Sequence, residues 1–403
     1  MLIFEGWGTG TMGRTADAVV VGAGLNGAAT AFFLRQRGLR RIVVLESDLP
    51  GAGASGAAVG LLRAHYDNRP EMELAAKSMR FFRHWDELIG GDCGWRPTGF
   101  FRFVEPDELA KMRANVAMQR QFGERVEILG PDEVRRLAPE FRTDDIGAAI
   151  YEPDSGIASN SRATSTLLRR ACADGATLEP FTKVLAVAAT GSRVTGIRTR
   201  REEISSPVVV LAAGAWSRAL AATCGVDMPL EARAIRIAEI LPPDGLRLPG
   251  SYMDPISDSW IAPRDQGRAL ISVPHTEAAA AIDPDGSVPD LTRAEAAAGL
   301  PAVRRRLPGI DGATIIRWWS RPDSYAPDGK PIIGAAPDIQ GLFFNTAGAG
   351  KGHKTAPAIG LALSELIVDG RASTADLTPF GLARFRGTPS HWSETSYKKR
   401  VIG

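Results

Sequence analysis

The chain has 403 residues, 44% of them hydrophobic and 23% charged, with 48 basic against 46 acidic side chains and a net charge of +2. At roughly 150 residues per domain this makes two or three domains with ample core, and the balance of apolar and charged residues excludes a disordered chain. Near-neutral charge also excludes a dedicated nucleic-acid binder; the longest basic run is Lys398-Lys399-Arg400, read as a solvated tail.

Cys93, Cys172 and Cys224 lie far apart with no CxxC spacing, which supports neither a disulfide framework nor a zinc site and leaves the cytosol as the default compartment. Residues 1–14 lack a continuous apolar stretch, so no signal peptide is expected, and no window approaches the ~18 apolar residues of a membrane span. Residues 1–15 are expected to be disordered, with Met12 as an alternative start.

Structure is expected to begin at Asp17. Ala18-Val19-Val20-Val21 is a β-branched run that stops at Gly22, as a buried parallel strand does. Asn26 to Arg37 carries apolar residues at helical spacing and ends at Gly38, and Arg41 to Glu46 is a second strand. This is a right-handed βαβ unit. A helical pattern covers 70–89, a strand 99–104, a helix 106–122, a strand 143–150 and a helix 161–173. Short strands follow at 181–187, 194–200 and 208–211. Alternation from Ala232 to Val273 predicts antiparallel strands. Residues 278–300 read as a loop and then a helix, 342–345 as the last strand, and 357–368 as the last helix. No repeat is visible.

Gly22-Ala23-Gly24-Leu25-Asn26-Gly27 is GxGxxG placed directly between strand and helix. The first glycine makes the tight turn, the second lets backbone approach a pyrophosphate, and the third lets the helix pack on the strand. The helix N-terminus then offers N–H groups to the diphosphate. Glu46 closes the second strand and suits a ribose 2′-hydroxyl while repelling a 2′-phosphate. Two further features favour FAD over NAD. Val208 to Trp216 is an apolar strand ending in small residues, and Ala347-Gly348-Ala349-Gly350-Lys351-Gly352 leads into the final helix, whose N-terminus would face an electron-rich flavin edge.

With these motifs the chain, from about Asp17 to Arg384, resembles the FAD-dependent D-amino-acid-oxidase superfamily. The resemblance rests on the fingerprint, on Ser55-Gly56 through Arg63-Ala64-His65-Tyr66, on Leu211-Ala212-Ala213-Gly214-Ala215-Trp216, and on Gly350-Lys351-Gly352-His353-Lys354-Thr355-Ala356-Pro357. It is closest to the sarcosine oxidase and secondary-amine branch. It implies an α/β fold: a doubly wound, Rossmann-type FAD domain with an inserted antiparallel-sheet substrate domain. The expected FAD domain comprises 15–92, 146–226 and 321–384, the substrate domain 93–145 and 227–320, and the tails 1–14 and 385–403.

The resemblance also implies the site. FAD is expected against Gly22, Gly24, Leu25, Asn26 and Gly27 in the turn, and Glu46 and Ser47 at the second strand. Ser55, Gly60 and Leu61 join it from the Ser-Gly loop, and Val184, Ala213, Gly214 and Trp216 from the middle segment. Gly348, Gly350, Lys351, Gly352 and Lys354 complete it on the last turn. Arg63 and Lys354 match the positions that grip a substrate carboxylate, where a planar guanidinium binds bidentately and a lysine adds a point charge. His275 matches a substrate-facing histidine, and His353 stands where an aromatic residue is usual. Lys354 and His275 are the catalytic candidates. No metal is expected, since the remaining histidines have no ligand spacing.

The implied chemistry is removal of a hydride from the carbon next to an amine nitrogen, giving an imine and reduced flavin. Departures from the family qualify it. No cysteine stands near Arg321 and Ala57 replaces a linking histidine, so FAD is expected to be non-covalent. Gly60 replaces a basic residue, and no lysine occurs between Lys183 and Lys330 to help oxygen react. The reading is an amine or amino-acid oxidase acting on a small molecule, with oxygen as acceptor and neither nucleic acid nor membrane as partner. A dye- or quinone-linked dehydrogenase, a primary-amine oxidase, and a flavoprotein subunit needing a partner chain stay open, as does a homo-oligomer.

Overall fold

Three short apolar runs, Ala18–Val21, Ile42–Leu45 and Val209–Leu211, sit side by side at the centre of a six-stranded sheet and are buried along their whole length. The computed structural model that carries them describes residues 14–274, 281–286, 288, 290–387 and 396–397. Across the sheet the order is Ile332–Ala335, Leu342–Thr346, Val209–Leu211, Ala18–Val21, Ile42–Leu45 and Thr177–Glu179. Every pair is parallel except the first. Strands covered on both faces have no wet side, and this is why they read as unbroken apolar runs.

Helices Leu25–Gln36, Asn160–Ala173 and Gly352–Asp369 cover one face, with Arg69–Arg83 packed behind them. The first and last of these meet through small residues: a Cβ on Gly360 would stand 2.8 Å from the Ala29 Cβ. The other face carries a small sheet of Arg14–Thr15, Glu203–Ser205, Arg193–Thr199 and Val184–Thr190, with the short helix Ser217–Ala222. Arg14 and Thr15, expected to be disordered, are drawn into this sheet by pairing with Ile204 and Ser205.

A larger sheet of eight strands runs Thr314–Tyr325, Glu231–Leu241, Ala269–Ser272, Ser259–Pro263, Ser251–Asp254, Phe100–Val104, Ala148–Glu152 and Glu127–Leu129. Only Ser251–Asp254 with Phe100–Val104 is parallel. Glu231–Leu241 shows why the alternation is legible: Ile235 and Ile237 face one way, while Ala238 and Ile240 enter the core on the other. Ala148–Glu152 belongs to this sheet, so the boundary expected at 146 precedes a strand of the larger sheet. Its pairing with Phe100–Val104, remote in sequence, decides this.

Three helices differ from expectation. The pattern over 70–89 is broken at His84, giving Arg69–Arg83 and then Trp85–Leu88. Asn68 caps the first piece, its side chain accepting from the Glu71 N–H. Pro106–Glu108 is a separate 3₁₀ turn before Leu109–Arg120. The last helix starts at Gly352, five residues before Pro357. Proline there removes one backbone donor, and the neighbouring Ala358 N–H donates instead to the Ser78 hydroxyl at 3.0 Å. The expected tail 385–403 is not wholly solvated, because Tyr397 is buried against His65 and Arg102. Lys398 to Arg400 lie outside the described residues. No helix among the described residues is long and apolar enough to cross a membrane.

Candidate active site

The glycine turn is shaped by contacts that a side chain would destroy. Gly22 has φ +106°, and a Cβ there would stand 2.5 Å from the Ala212 carbonyl oxygen. A Cβ on Gly27 would overlap the Gly22 carbonyl itself, so this glycine permits the helix to start tight against its own turn. Gly24 precedes the helix and brings no capping side chain. The Leu25 N–H donates to the Ser55 hydroxyl at 2.9 Å. Glu46 is held at the strand end by the Ala23 N–H at 2.8 Å and the Asp48 N–H at 3.0 Å. Its carboxylate is therefore oriented before any ligand arrives.

From this turn a cavity of about 690 Å³ extends to the start of the last helix. Its walls contain Gly22, Gly24, Leu25, Asn26, Glu46, Ser47, Ser55, Gly60, Leu61 and Val184, then Ala213, Gly214, Trp216, Gly348, Gly350, Gly352, His353 and Lys354. Chain segments more than three hundred residues apart thus meet in one space, bounded by the N-termini of a 12-residue and an 18-residue helix. The residues fit FAD. Glycines line the cradle where backbone must come close, and the buried Asn26 Oδ1 has no hydrogen-bond partner among the described residues. Two helix N-termini supply unsatisfied N–H groups for a diphosphate and an electron-rich ring.

Three expected residues stand elsewhere. Gly27 is spent on the turn, as above. Lys351 turns away because the buried Glu71 carboxylate recruits it: its ammonium donates to Glu71 Oε1 at 2.8 Å and to the Gly329 carbonyl at 2.7 Å. Arg63 is buried behind the wall, its guanidinium 4.5 Å from the Tyr66 ring centre and 5.6 Å from that of Phe100, with one amine donating to the His65 carbonyl. Its Nε has no hydrogen-bond partner among the described residues. His275 lies outside the described residues.

Lys354 occupies the far end. Its side chain is buried and, among the described residues, its ammonium meets only the Gly350 carbonyl, at 3.2 Å. Burial, with the charges of Arg63 and Lys351, holds the ammonium well below the usual lysine range, against smaller pulls from Glu71 and Asp323. His353 beside it is buried, its ring nitrogens have no partner among the described residues, and burial together with Lys354 and Arg264 pushes its pKa down to about 3, so the imidazole is neutral.

Several wall residues escaped the sequence reading. Asp323, raised above the usual carboxylate range by burial, accepts from the Ser324 N–H at 2.8 Å and the Gly350 N–H at 2.7 Å, tying the long strand to the last turn. Ile237, Met253, Trp260 and Tyr325 make an apolar flank. Asp285 bonds the Trp216 indole at 3.0 Å and the Lys183 ammonium at 3.2 Å, bringing the 281–286 segment over the cavity. The alternation of 232–273 marks Ile237 and Trp260 as facing one way; no local signal marks Asp323 or Asp285.

Residues 17–366 match the family described as FAD dependent oxidoreductase, DAO. The chain is 28% identical over 403 aligned positions to 4-methylaminobutanoate oxidase (formaldehyde-forming) of Paenarthrobacter nicotinovorans, with 94% of this chain and 46% of that protein covered. It is 27% identical to mitochondrial sarcosine dehydrogenase of Homo sapiens, covering 94% and 43%. The chain thus spans less than half the length of these curated relatives. The crystal structure of glycine oxidase from Geobacillus kaustophilus superimposes with a TM-score of 0.78 at 26% identity, over 92% of this chain and 99% of that one. The glycine turn, the carboxylate at the second strand and the cavity ending on the last helix agree with this match, and the chain belongs to the FAD-dependent oxidoreductase family of the D-amino-acid-oxidase type.

Proposed function

We propose that the chain oxidises the carbon–nitrogen bond of an amino acid or N-alkyl amino acid to an imine. Lys354 carries this reading. It is a lysine buried in the cavity wall with no carboxylate of the described residues in ion-pair distance, and a substrate carboxylate is the counter-charge that such a site lacks. The apolar flank of Ile237, Met253, Trp260 and Tyr325 seats the carbon skeleton and keeps water out. The substrates in the relatives' names, a methylamino acid, sarcosine and glycine, are all amines bearing a carboxylate.

FAD, bound non-covalently, supplies the hydride acceptor. The chain's part is to hold the carboxylate, orient the C–H bond and offer the neutral His353 as a hydrogen-bonding group. Arg63 acts from behind Lys354 through its charge, without touching substrate. Oxygen is the acceptor in this reading, reacting slowly. A dye- or quinone-linked dehydrogenase is the second reading, favoured by Gly60: its φ is +75° and a Cβ there would overlap the Ala158 carbonyl oxygen, so the basic side chain of the family has no room.

The test is anaerobic bleaching of the flavin by a panel of primary and N-methyl amino acids, alongside the matching amines without a carboxylate. Bleaching confined to the acids is expected. Equal bleaching by the plain amines overturns the reading. Mixing reduced protein with aerated buffer then separates the acceptors, since flavin that stays reduced for minutes removes the oxidase.

A further inference from the structure

The reading above leaves a proton unaccounted for. An amino acid in water carries an ammonium group, which has no lone pair to form C=N as the hydride leaves, so its proton must pass to an acceptor first. The groups facing Lys354 narrow the choice. On its own turn stand Lys351, committed to Glu71, and His353. From the neighbouring elements come Arg63, Glu71 on the helix Arg69–Arg83, and Asp323 on the strand Thr314–Tyr325. Glu71 is closed off by Lys330, Lys351 and the Asn68 amide, the last at 2.6 Å. Asp323 already accepts two backbone N–H groups, Arg63 offers donors and no acceptor, and burial with the neighbouring cations keeps the His353 imidazole from holding a proton above about pH 3. Lys354 has one carbonyl for a partner, two cations nearby and a buried amine on the cavity wall.

We propose that Lys354 stands in the resting cavity as the free amine and takes the proton of the amino acid's own ammonium group as the substrate carboxylate settles against it. One N–H bond of the substrate breaks and one forms on Lys354 Nζ, with no proton exchanged with solvent. The substrate becomes an amine bearing a carboxylate, and the lysine becomes the ammonium that pairs with it. Burial would penalise either charge alone; arriving together they satisfy each other. Carboxylate recognition and amine deprotonation are then one event, and a plain amine, lacking the anion that stabilises the charged lysine, remains protonated and unreactive.

This inference rests on the amino-acid reading, and proton counting tests it separately from turnover. Methoxyacetate, the oxygen analogue of N-methylglycine, has the carboxylate but no proton to give. Its binding to the holoprotein between pH 7 and 8, followed by the flavin spectrum and a pH indicator in weak buffer, should draw about one proton per site from solvent, and N-methylglycine none. The methoxyacetate Kd should rise about tenfold per pH unit in this range, one proton being linked to binding. In Lys354→Arg, whose guanidinium is always charged, the uptake and the pH slope should vanish; Asp323→Asn should keep both. Lys354→Met, which replaces the amine by an apolar group of similar length, should bind FAD and take up no proton. Methoxyacetate binding without proton uptake, uptake that survives in Lys354→Arg or Lys354→Met, or no binding at all overturns the proposal. If amino acids bleach the flavin in the same preparation, the function stands although the proton route falls.

Discussion

Two buried lysines a short way apart behave in opposite ways. Lys330 is 2% exposed and locked to Glu71, which is 3% exposed and also held by Lys351 and Asn68. Lys354 is 5% exposed and, among the described residues, has only a backbone carbonyl for a partner. The first site closes its charges within the chain; the second leaves its amine open toward a cavity. A buried charge cluster that is complete holds elements together, here the helix Arg69–Arg83, the 326–330 turn and the last turn. One that is incomplete is a place for a ligand.

The largest expected effect breaks the closed site. Glu71→Gln takes from Lys330 and Lys351 the carboxylate they share, and removing one partner of a buried pair costs about 3–5 kcal/mol. Chemical denaturation should show the loss as a lower midpoint at an unchanged slope; a change below about 1 kcal/mol would erase the contrast between the two sites. Lys354→Met should do the reverse. A lysine held as the free amine at neutral pH costs folding stability, so the methionine variant should be at least as stable as the parent protein. Meanwhile kcat/KM falls by roughly 30- to several-thousand-fold, the equivalent of about 2–5 kcal/mol for a desolvated charge contact. Stability and turnover falling together would place Lys354 with Lys330.

Acid separates the groups further. Burial alone would raise the Glu71 carboxyl, but Lys351 and Lys330 outweigh it and hold it at about 2. A depressed carboxyl contributes stability that is full above its unfolded value of 4.5 and lost as pH falls toward 2. His65 and His353, pushed down to about 3 chiefly by burial, act earlier. The unfolded chain binds their protons below 6.5 while the folded chain does not, so stability declines from pH 6.5 downward. Denaturation midpoints between pH 7 and 3 should show this first slope, and His65→Gln should flatten it. The smallest effect concerns the cofactor: acid precipitation should release all the yellow colour, and colour retained on the pellet would reveal a covalent link.

Much of this site was legible in the residues themselves. Gly22, Gly24 and Gly27 announce a turn because only glycine tolerates its backbone angles and approaches, and Glu46 is placed by the length of one strand. The alternation from Ala232 predicts the strand that carries Ile235 and Ile237, though neither residue stands out as a cavity wall. Lys351 and Lys354 were not separable in this way. Both sit on the same glycine-rich turn, and both looked like cofactor or substrate contacts. What parts them is Glu71, 280 positions from Lys351 in the chain, which captures one and leaves the other. Arg63 shows the same limit: its motif marks it as a carboxylate ligand, while only the fold reveals that the Tyr66 and Phe100 rings and the His65 carbonyl surround its guanidinium.

Local sequence thus determined the elements, the nucleotide turn and the family, because backbone geometry and burial period are properties of neighbouring residues. Only the tertiary structure decided which charges are paired and which stand open. That choice depends on partners brought together by sheet topology, and a buried charge takes whichever partner the fold places within reach.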